Sequence, residues 1–150
     1  MRDLKSLFDH SYNWTSRIRE VDNIAFLEKY KSNLEKIIET KQYVSKLTID
    51  WNYTCKDTSQ LPDISQLDLT YHIENELISI LEYDMQSILY YACLGNGIKE
   101  WRFYSSDISE TLKRIEKTLG EQTYYVDISF STEKDTEWKD YKEINNLEIN

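Results

Sequence analysis

Residues 89–107 decide the fold of this chain, and they read Leu-Tyr-Tyr-Ala-Cys-Leu-Gly-Asn-Gly-Ile-Lys-Glu-Trp-Arg-Phe-Tyr-Ser-Ser-Asp. Within them Asn96-Gly97 lies between two extended apolar segments, which is the strongest short-range signal of a β-hairpin. Asparagine and glycine suit this position because both central residues of a type I′ turn need a positive φ. The pattern predicts two antiparallel strands, over 86–94 and 98–107, joined at this turn.

The turn also sets which side chains share a face of the hairpin. Counting back from Asn96-Gly97 predicts the cross-strand pairs Gly95–Ile98, Ala92–Trp101, Tyr91–Arg102 and Tyr90–Phe103. A small residue opposite tryptophan suits a covered face, so we expect Trp101 and Phe103 to point to the helices with Ile88. The other face then receives Leu89, Tyr91, Cys93, Glu100, Arg102 and Tyr104.

The spacing of apolar residues predicts the remaining elements. Helical spacing predicts helices over 22–41, 62–82 and 107–119. Strict alternation predicts strands over 46–53 and 124–130. Trp138 and Tyr141, three residues apart, predict a short C-terminal helix that packs back on the body.

The order of these elements indicates the fold class. From residue 46 onward it is strand, helix, strand, strand, helix, strand. This is the order of the ferredoxin-like split βαβ fold, an α+β class whose helices cover one face of an antiparallel sheet and leave the other face open. We expect one domain over 1–150, made of an N-terminal helical extension (1–41), a ferredoxin-like core (46–131) and an acidic tail (132–150). Whether the extra N-terminal helix packs on its own sheet or on a second copy, in a homodimer, stays open.

Charge limits the classes of partner. The formal charge is −9, of which residues 76–150 carry −7. Such a field repels phosphate backbones and anionic lipid and attracts a basic protein, so we expect neither nucleic-acid nor membrane binding. Acidity that serves only solubility is the alternative. The chain contains no long apolar run and no signal-like start, so we expect a cytoplasmic protein.

Two acidic surfaces are candidates for binding a partner. The first is the open sheet face, with Asp50, Tyr91, Glu100, Arg102, Tyr104 and Asp127. There the tyrosines would anchor a basic partner and the carboxylates would complement its charge. The rival surface is the acidic tail, with Glu133, Asp135, Glu137 and Asp140. The alternative interpretation is an ordinary solvated sheet face on which Arg102 pairs with Asp50 or Glu100.

Catalytic and metal-binding patterns are weak. Glu100, Asp50 and Asp127 could act as a general acid and base, but strand alternation alone brings carboxylates together. The sequence has no GxSxG, nucleotide-binding glycine loop or HExxH motif, and His10 and His72 lie far apart. Two cysteines, Cys55 and Cys93, are expected to be free thiols. We therefore predict no catalytic residue, no metal and no cofactor.

Several motifs resemble one bacterial family, catalogued as domain of unknown function 695. Its strand ending in a Gly-Asn-Gly turn, followed by a basic residue, Glu-Trp, an aromatic strand and a helix-starting Asp, is similar to 89–107. Its closing Asp-x-Glu-Trp-x-x-Tyr element is similar to 135–141, and Ile49-Asp50-Trp51-Asn52-Tyr53 and Leu61-Pro62 fit its opening strand and turn. The resemblance covers roughly 47–143.

The resemblance implies a ferredoxin-like domain with no catalytic residue to carry over. Some members are joined to domains similar to an inhibitor of a ribonuclease, and some occur beside bacterial toxins, where they are taken to be immunity proteins. It implies structural roles in the turn, the sheet pairing, the core and the tail for Asn96, Gly97, Glu100, Trp101, Trp138 and Tyr141.

Together these observations favour a non-enzymatic acidic binding protein. We expect an immunity or inhibitor protein that neutralises a bacterial toxin, a nuclease being the favoured class, by covering its basic surface. The alternatives are a regulator of an endogenous ribonuclease, or a small enzyme or ligand-binding domain that uses the open sheet face.

Overall fold

The computed structural model describes residues 14–53, 61–119 and 128–146. In these ranges the chain is an α+β fold with four helices and one six-stranded antiparallel sheet. The elements are β1 (Trp14–Val21), β2 (Ile24–Lys31), α1 (Glu35–Glu39), β3 (Ser45–Asn52), α2 (Ile64–Leu81), β4 (Ser87–Gly95), β5 (Ile98–Ser105), α3 (Ile108–Leu119), β6 (Ile128–Lys134) and α4 (Lys139–Asn146).

The strands lie side by side in the order β1-β2-β4-β5-β3-β6. All five neighbouring pairs are antiparallel. The sequence predicted the alternation of β3, and the structure confirms it, with Leu47, Ile49 and Trp51 buried on one face. No helix in the described ranges is long and apolar enough to cross a membrane.

The predicted helix over 22–41 is wrong, because its first half, 22–31, belongs to a second β-hairpin. Asp22 and Asn23 adopt φ angles of 52° and 67° and connect β1 to β2, as the two central residues of a type I′ turn would. Aspartate and asparagine tolerate this left-handed conformation better than other residues with a side chain. Only α1 remains helical, so the N-terminal extension adds two strands to the sheet.

The two long helices agree with the sequence. Asp63 caps α2 through a capping box, in which its side chain accepts a hydrogen bond from the Gln66 N–H and the Gln66 side chain accepts one from the Asp63 N–H. The Asp107 side chain accepts a hydrogen bond from the N–H of Glu110 at the start of α3, at 3.2 Å. At the start of each helix a backbone N–H group is hydrogen-bonded to the capping aspartate. These caps determine where the two helices begin.

The central hairpin has the predicted turn and most of the predicted register. Asn96 and Gly97 have φ angles of 55° and 80°. The pairs Gly95–Ile98, Ala92–Trp101 and Tyr91–Arg102 are confirmed.

The pair Tyr90–Phe103 is wrong, because a β-bulge at Tyr90 makes Leu89 the partner of Phe103. The Leu89 N–H, displaced at this irregularity, donates to the carboxylate of Glu82 at 2.7 Å. The bulge therefore exchanges two predicted orientations: Leu89 packs with Trp101 and Phe103, whereas Ile88 packs on the opposite face.

Both faces of the sheet are covered, so the expected single layer of helices and open second face are wrong. The first core lies under α2 and α3 and contains Trp101, Phe103 and Leu77. The second core lies under α1 and α4 and contains an aromatic group on the face expected to be open. Its large members are Tyr30, Tyr90, Tyr91, Tyr104, Trp138 and Tyr141.

The C-terminal helix packs back on the sheet, as predicted. Trp138 and Tyr141 are buried, and the ring of Trp138 stacks on that of Tyr104 with 3.9 Å between centroids. The last strand, β6, continues beyond its predicted end at residue 130 to Lys134. The predicted start of this strand, at residue 124, lies outside the described residues.

Candidate functional site

A line of mostly charged residues crosses the sheet on the face that carries α4. Cross-strand pairing places its members next to one another on successive strands. From β6 to β1 they are Ser129, Asp50, Glu100, Cys93, Glu28 and Arg17, and we call them the charged row. The row lies just beyond the aromatic core under α4.

Arg102, one of the residues predicted to bind a partner, is engaged by other side chains of this protein. Its guanidinium donates to Glu100 and to both carboxylate oxygens of Asp140, at 3.0 Å each. It also lies over the ring of Tyr91, 4.3 Å from the centroid. Burial opposes its charge, but Glu100 and Asp140 raise the pKa of Arg102 above its usual range. Of the two partners that the alternative interpretation offered for Arg102, Glu100 is the one it pairs with, and Asp140 is a further partner.

The two tyrosines expected to anchor a partner are core residues, so their predicted exposure is wrong. Tyr91 and Tyr104 are almost fully buried. The hydroxyl of Tyr91 donates to Glu28, and that of Tyr104 donates to Asp135 at 2.6 Å. Burial, strengthened by these carboxylates, raises the pKa of both phenols. Neither ring is available to a partner.

Glu28 and its two arginines were missed by the sequence reasoning. Glu28 is buried, and it accepts hydrogen bonds from Nε of Arg17 at 2.9 Å and Nε of Arg19 at 3.1 Å. Burial alone would raise the pKa of Glu28, but the Tyr91 hydroxyl and Arg17 lower it below the usual value. The signal that could have found them is Asp22-Asn23, because that turn places Arg17 opposite Glu28.

Asp50 differs from the other acids of the charged row. It lies directly opposite Glu100 across β3 and β5, and its Oδ1 is buried without a hydrogen-bond partner among the described residues. Burial, followed by the nearby Glu100 carboxylate, raises the pKa of Asp50. It is therefore a negative group whose compensation within the described structure is incomplete.

We expect Asp50→Asn to stabilise the fold at neutral pH by about 0.5 kcal/mol, the scale of a like-charge pair directly opposite in a sheet. The pKa of Asp50 is raised in the folded protein, so the ionised carboxylate destabilises the folded state at pH values above that pKa. Below the ordinary value of 3.8 the carboxyl group is protonated in both the folded and the unfolded state, and its repulsion with Glu100 no longer lowers stability. Urea unfolding from pH 7 down to pH ~3 should therefore show the gain shrinking. Asp68→Asn on the exposed side of α2 is the control. A loss of stability in Asp50→Asn at neutral pH would contradict this account.

The acidic tail divides into structural and exposed residues. Asp135 is buried and caps α4, accepting hydrogen bonds from the N–H groups of Lys139 at 2.8 Å and Asp140 at 3.1 Å. Asp140 binds Arg102 and accepts the Tyr90 hydroxyl at 2.5 Å. Exposed Glu133 pairs with Lys46 at 2.9 Å, and Glu137 is exposed. Two of the four predicted tail acids thus hold the fold together.

The described residues contain no group of three or more histidine, cysteine or acidic side chains placed to hold a metal ion. His72 lies exposed on α2, 3.3 Å from Glu76. Cys93 is a free, partly buried thiol, as predicted, and burial raises its pKa. Asp127, His10 and Cys55, which the sequence also singled out, lie outside the described residues.

The geometry described above defines the structural class of the protein. It is an α+β domain with one antiparallel sheet, helices on both faces of that sheet and the charged row on the face that carries α4. The chain belongs to the family of unknown function DUF695, whose model matches residues 12–144. This match confirms the family that the sequence motifs indicated. No curated protein and no solved structure matches the chain.

Proposed function

We propose that this protein is a non-enzymatic acidic binding protein that receives a lysine or arginine of a basic protein partner beside Asp50. Its favoured biological role is that of a cytoplasmic immunity protein that neutralises a bacterial toxin, a nuclease in particular. The observation that carries the proposal is the Asp50 carboxylate, which lies directly opposite Glu100 and whose buried Oδ1 has no hydrogen-bond partner among the described residues.

The neighbouring charges explain why Asp50 is the favoured point of attachment. Glu28 has two arginine partners, and Arg102 has two carboxylate partners. Asp50 has no ion pair of its own among the described residues, although it lies in the same row. A cation from a partner beside the Asp50 carboxylate would compensate its charge and relieve the repulsion between Asp50 and Glu100.

The overall charge supports a basic partner and a fast encounter. A net charge of −9 steers a positively charged surface towards this protein and repels phosphate. Nucleases present such a surface to their own substrate, so an acidic protein that covers it blocks activity without any chemistry. A regulator of an endogenous ribonuclease would use the same surface.

We also propose that β3, α2, β4, β5, α3 and β6 form a ferredoxin-like split βαβ unit. Two features support this assignment: the chain order of the elements, and the neighbour order β4-β5-β3-β6 within the sheet. The β1–β2 hairpin would then be an addition at the β4 edge, and α1 with α4 an added layer.

The experiment pairs this protein with the product of the gene next to its own. With a toxin gene under inducible control, we expect the wild-type protein to restore growth and to co-purify in a salt-sensitive complex. Asp50→Asn should weaken the complex about tenfold, the scale of losing one charge-assisted hydrogen bond. The matched control Glu116→Gln, an exposed acid on α3, should bind like the wild type.

The outcomes separate the parts of the proposal. No complex at any ionic strength, or a neighbouring gene of purely metabolic function, would overturn the immunity role. A complex that Asp50→Asn leaves unchanged would overturn the assignment of the surface. Thermal unfolding of each variant checks that altered binding is not altered folding.

A further inference from the structure

A groove of about 780 Å³ lies at the β1–β2 end of the sheet, where Arg17 and Glu28 of the charged row contribute to its lining. It runs between α2 and the β1–β2 hairpin. Its walls are largely apolar, and its volume is within the range of small-molecule sites. The apolar lining includes Ile18, Leu27, Leu67, Tyr71, Ala92 and Leu94.

Two lysines in the lining share one carboxylate. The Glu74 carboxylate of α2 accepts hydrogen bonds from Lys29 Nζ at 2.7 Å and from the Trp101 indole N–H at 3.0 Å. Lys99 Nζ is 3.9 Å from the same carboxylate, which is beyond hydrogen-bond distance. The three ionisable groups therefore carry one net positive charge when both lysines are protonated.

Lys99 is the incompletely satisfied member of this group. Only 8% of the residue is exposed, and its ammonium lies 5.7 Å from the centroid of the Trp101 ring and 3.9 Å from Glu74, both longer than a hydrogen bond. A buried ammonium loses hydration and needs hydrogen-bond acceptors in return. Burial lowers the pKa of Lys99, as incomplete compensation would.

We propose that this groove binds an aliphatic monocarboxylate. Its carboxylate accepts hydrogen bonds from Lys99 and Lys29, and its hydrocarbon chain lies along Leu27, Leu67 and Leu94. Ile18, 74% exposed, and Leu27 lie at the hairpin side of the groove, so a bound chain would remove apolar surface from water.

The charge and the lining together select this ligand class. A purely apolar ligand would leave Lys99 without an acceptor, and a polyanion such as a nucleotide would exceed the single net positive charge. One carboxylate on an aliphatic chain matches both features. The site is separate from the Asp50 surface, so the proposed function and this inference stand or fall independently.

Calorimetric titration of the full chain with sodium decanoate tests the proposal, with decanol as the neutral probe of the same length. We expect saturable decanoate binding that Lys99→Met weakens at least tenfold, with little effect on decanol. Lys142→Met, an exposed lysine on α4, is the matched control and should bind like the wild type.

A second variant keeps the test decisive if Lys99→Met fails to fold. Leu27→Asp at the partly exposed groove wall adds a negative charge and should also weaken decanoate binding about tenfold. Absence of saturable decanoate binding, equal affinity for decanol, or unchanged affinity in the folded variants would each overturn the proposal.

Discussion

Replacing Trp138 by alanine is expected to lower the free energy of unfolding by about 3–5 kcal/mol, the usual cost of truncating a buried tryptophan. Trp138 stacks on Tyr104 and meets the ring of Tyr141 edge-on, with centroids 3.9 Å and 5.5 Å away. Its indole N–H also donates to the carbonyl of Tyr43 at 2.7 Å. The substitution therefore opens a cavity and leaves a buried carbonyl with one fewer donor.

Trp138 also has an unusual backbone conformation. Its φ of 57° is left-handed, a conformation that costs a residue with a side chain roughly 1–2 kcal/mol. The aromatic packing holds that conformation and so positions the start of α4. Without the indole, we expect α4 to detach first and Asp140 to release Arg102.

Urea unfolding monitored by circular dichroism measures the loss. Tyr83→Ala is the matched control, because Tyr83 is 74% exposed and its truncation should cost less than about 1 kcal/mol. Trp138→Phe, which keeps part of the stack and loses the hydrogen bond, should lie between these values. A loss below about 1 kcal/mol for Trp138→Ala would show that α4 is not anchored by this side chain.

Glu74→Gln is expected to cost about 3 kcal/mol, the lower end for breaking a buried ion pair. Glu74 links α2 to Lys29 of β2 and to Trp101 of β5, and it is the nearest carboxylate to Lys99. Glutamine keeps the shape but leaves the buried Lys99 charge without compensation. Partial exposure of Lys29 limits the cost to the lower end of the range.

The same unfolding measurement at neutral pH tests this expectation, with Glu76→Gln as the control. Glu76 lies two residues along α2 and pairs with exposed His72, so its change should stay within about 0.5 kcal/mol. The double variant Glu74→Gln with Lys99→Met should recover part of the loss, because it removes the charge left unpaired. Equal stability of Glu74→Gln and the wild type would refute the ion-pair account.

Local sequence patterns were sufficient to predict the elements whose conformation depends on residues that are close together in the chain. The alternation around Ile49, the helical spacing over 62–82 and the turn at Asn96-Gly97 are each read from residues close together in sequence, and each agrees with the structure. The site was less predictable. Asp50 and Glu100 were expected on one face from alternation, whereas the role of Asp140 on Arg102 depends on a helix that returns from far along the chain.

In the segment that forms β2, the apolar residues fit the spacing of a helix although the structure is a strand. Leu27, Tyr30, Leu34 and Ile37 fit helical spacing, yet Leu27 and Tyr30 belong to a strand and point to opposite faces. The Asp22-Asn23 turn lets β2 satisfy its backbone by pairing with both β1 and β4. The hydrogen bonds and packing gained when β2 joins the sheet therefore outweigh the helical preference of this segment.

The sequence by itself determined the central hairpin, the alternation of β3, the two long helices and the return of Trp138 and Tyr141 to the body, because these depend on local conformation and apolar spacing. The tertiary structure alone decided the bulge at Tyr90, the burial of Tyr91 and the covered second face. Gly95 shows the reason: a Cβ there would lie 2.8 Å from the carbonyl oxygen of Ala25. Its need for glycine comes from the neighbouring strand β2, and such constraints arise only when distant segments pack together.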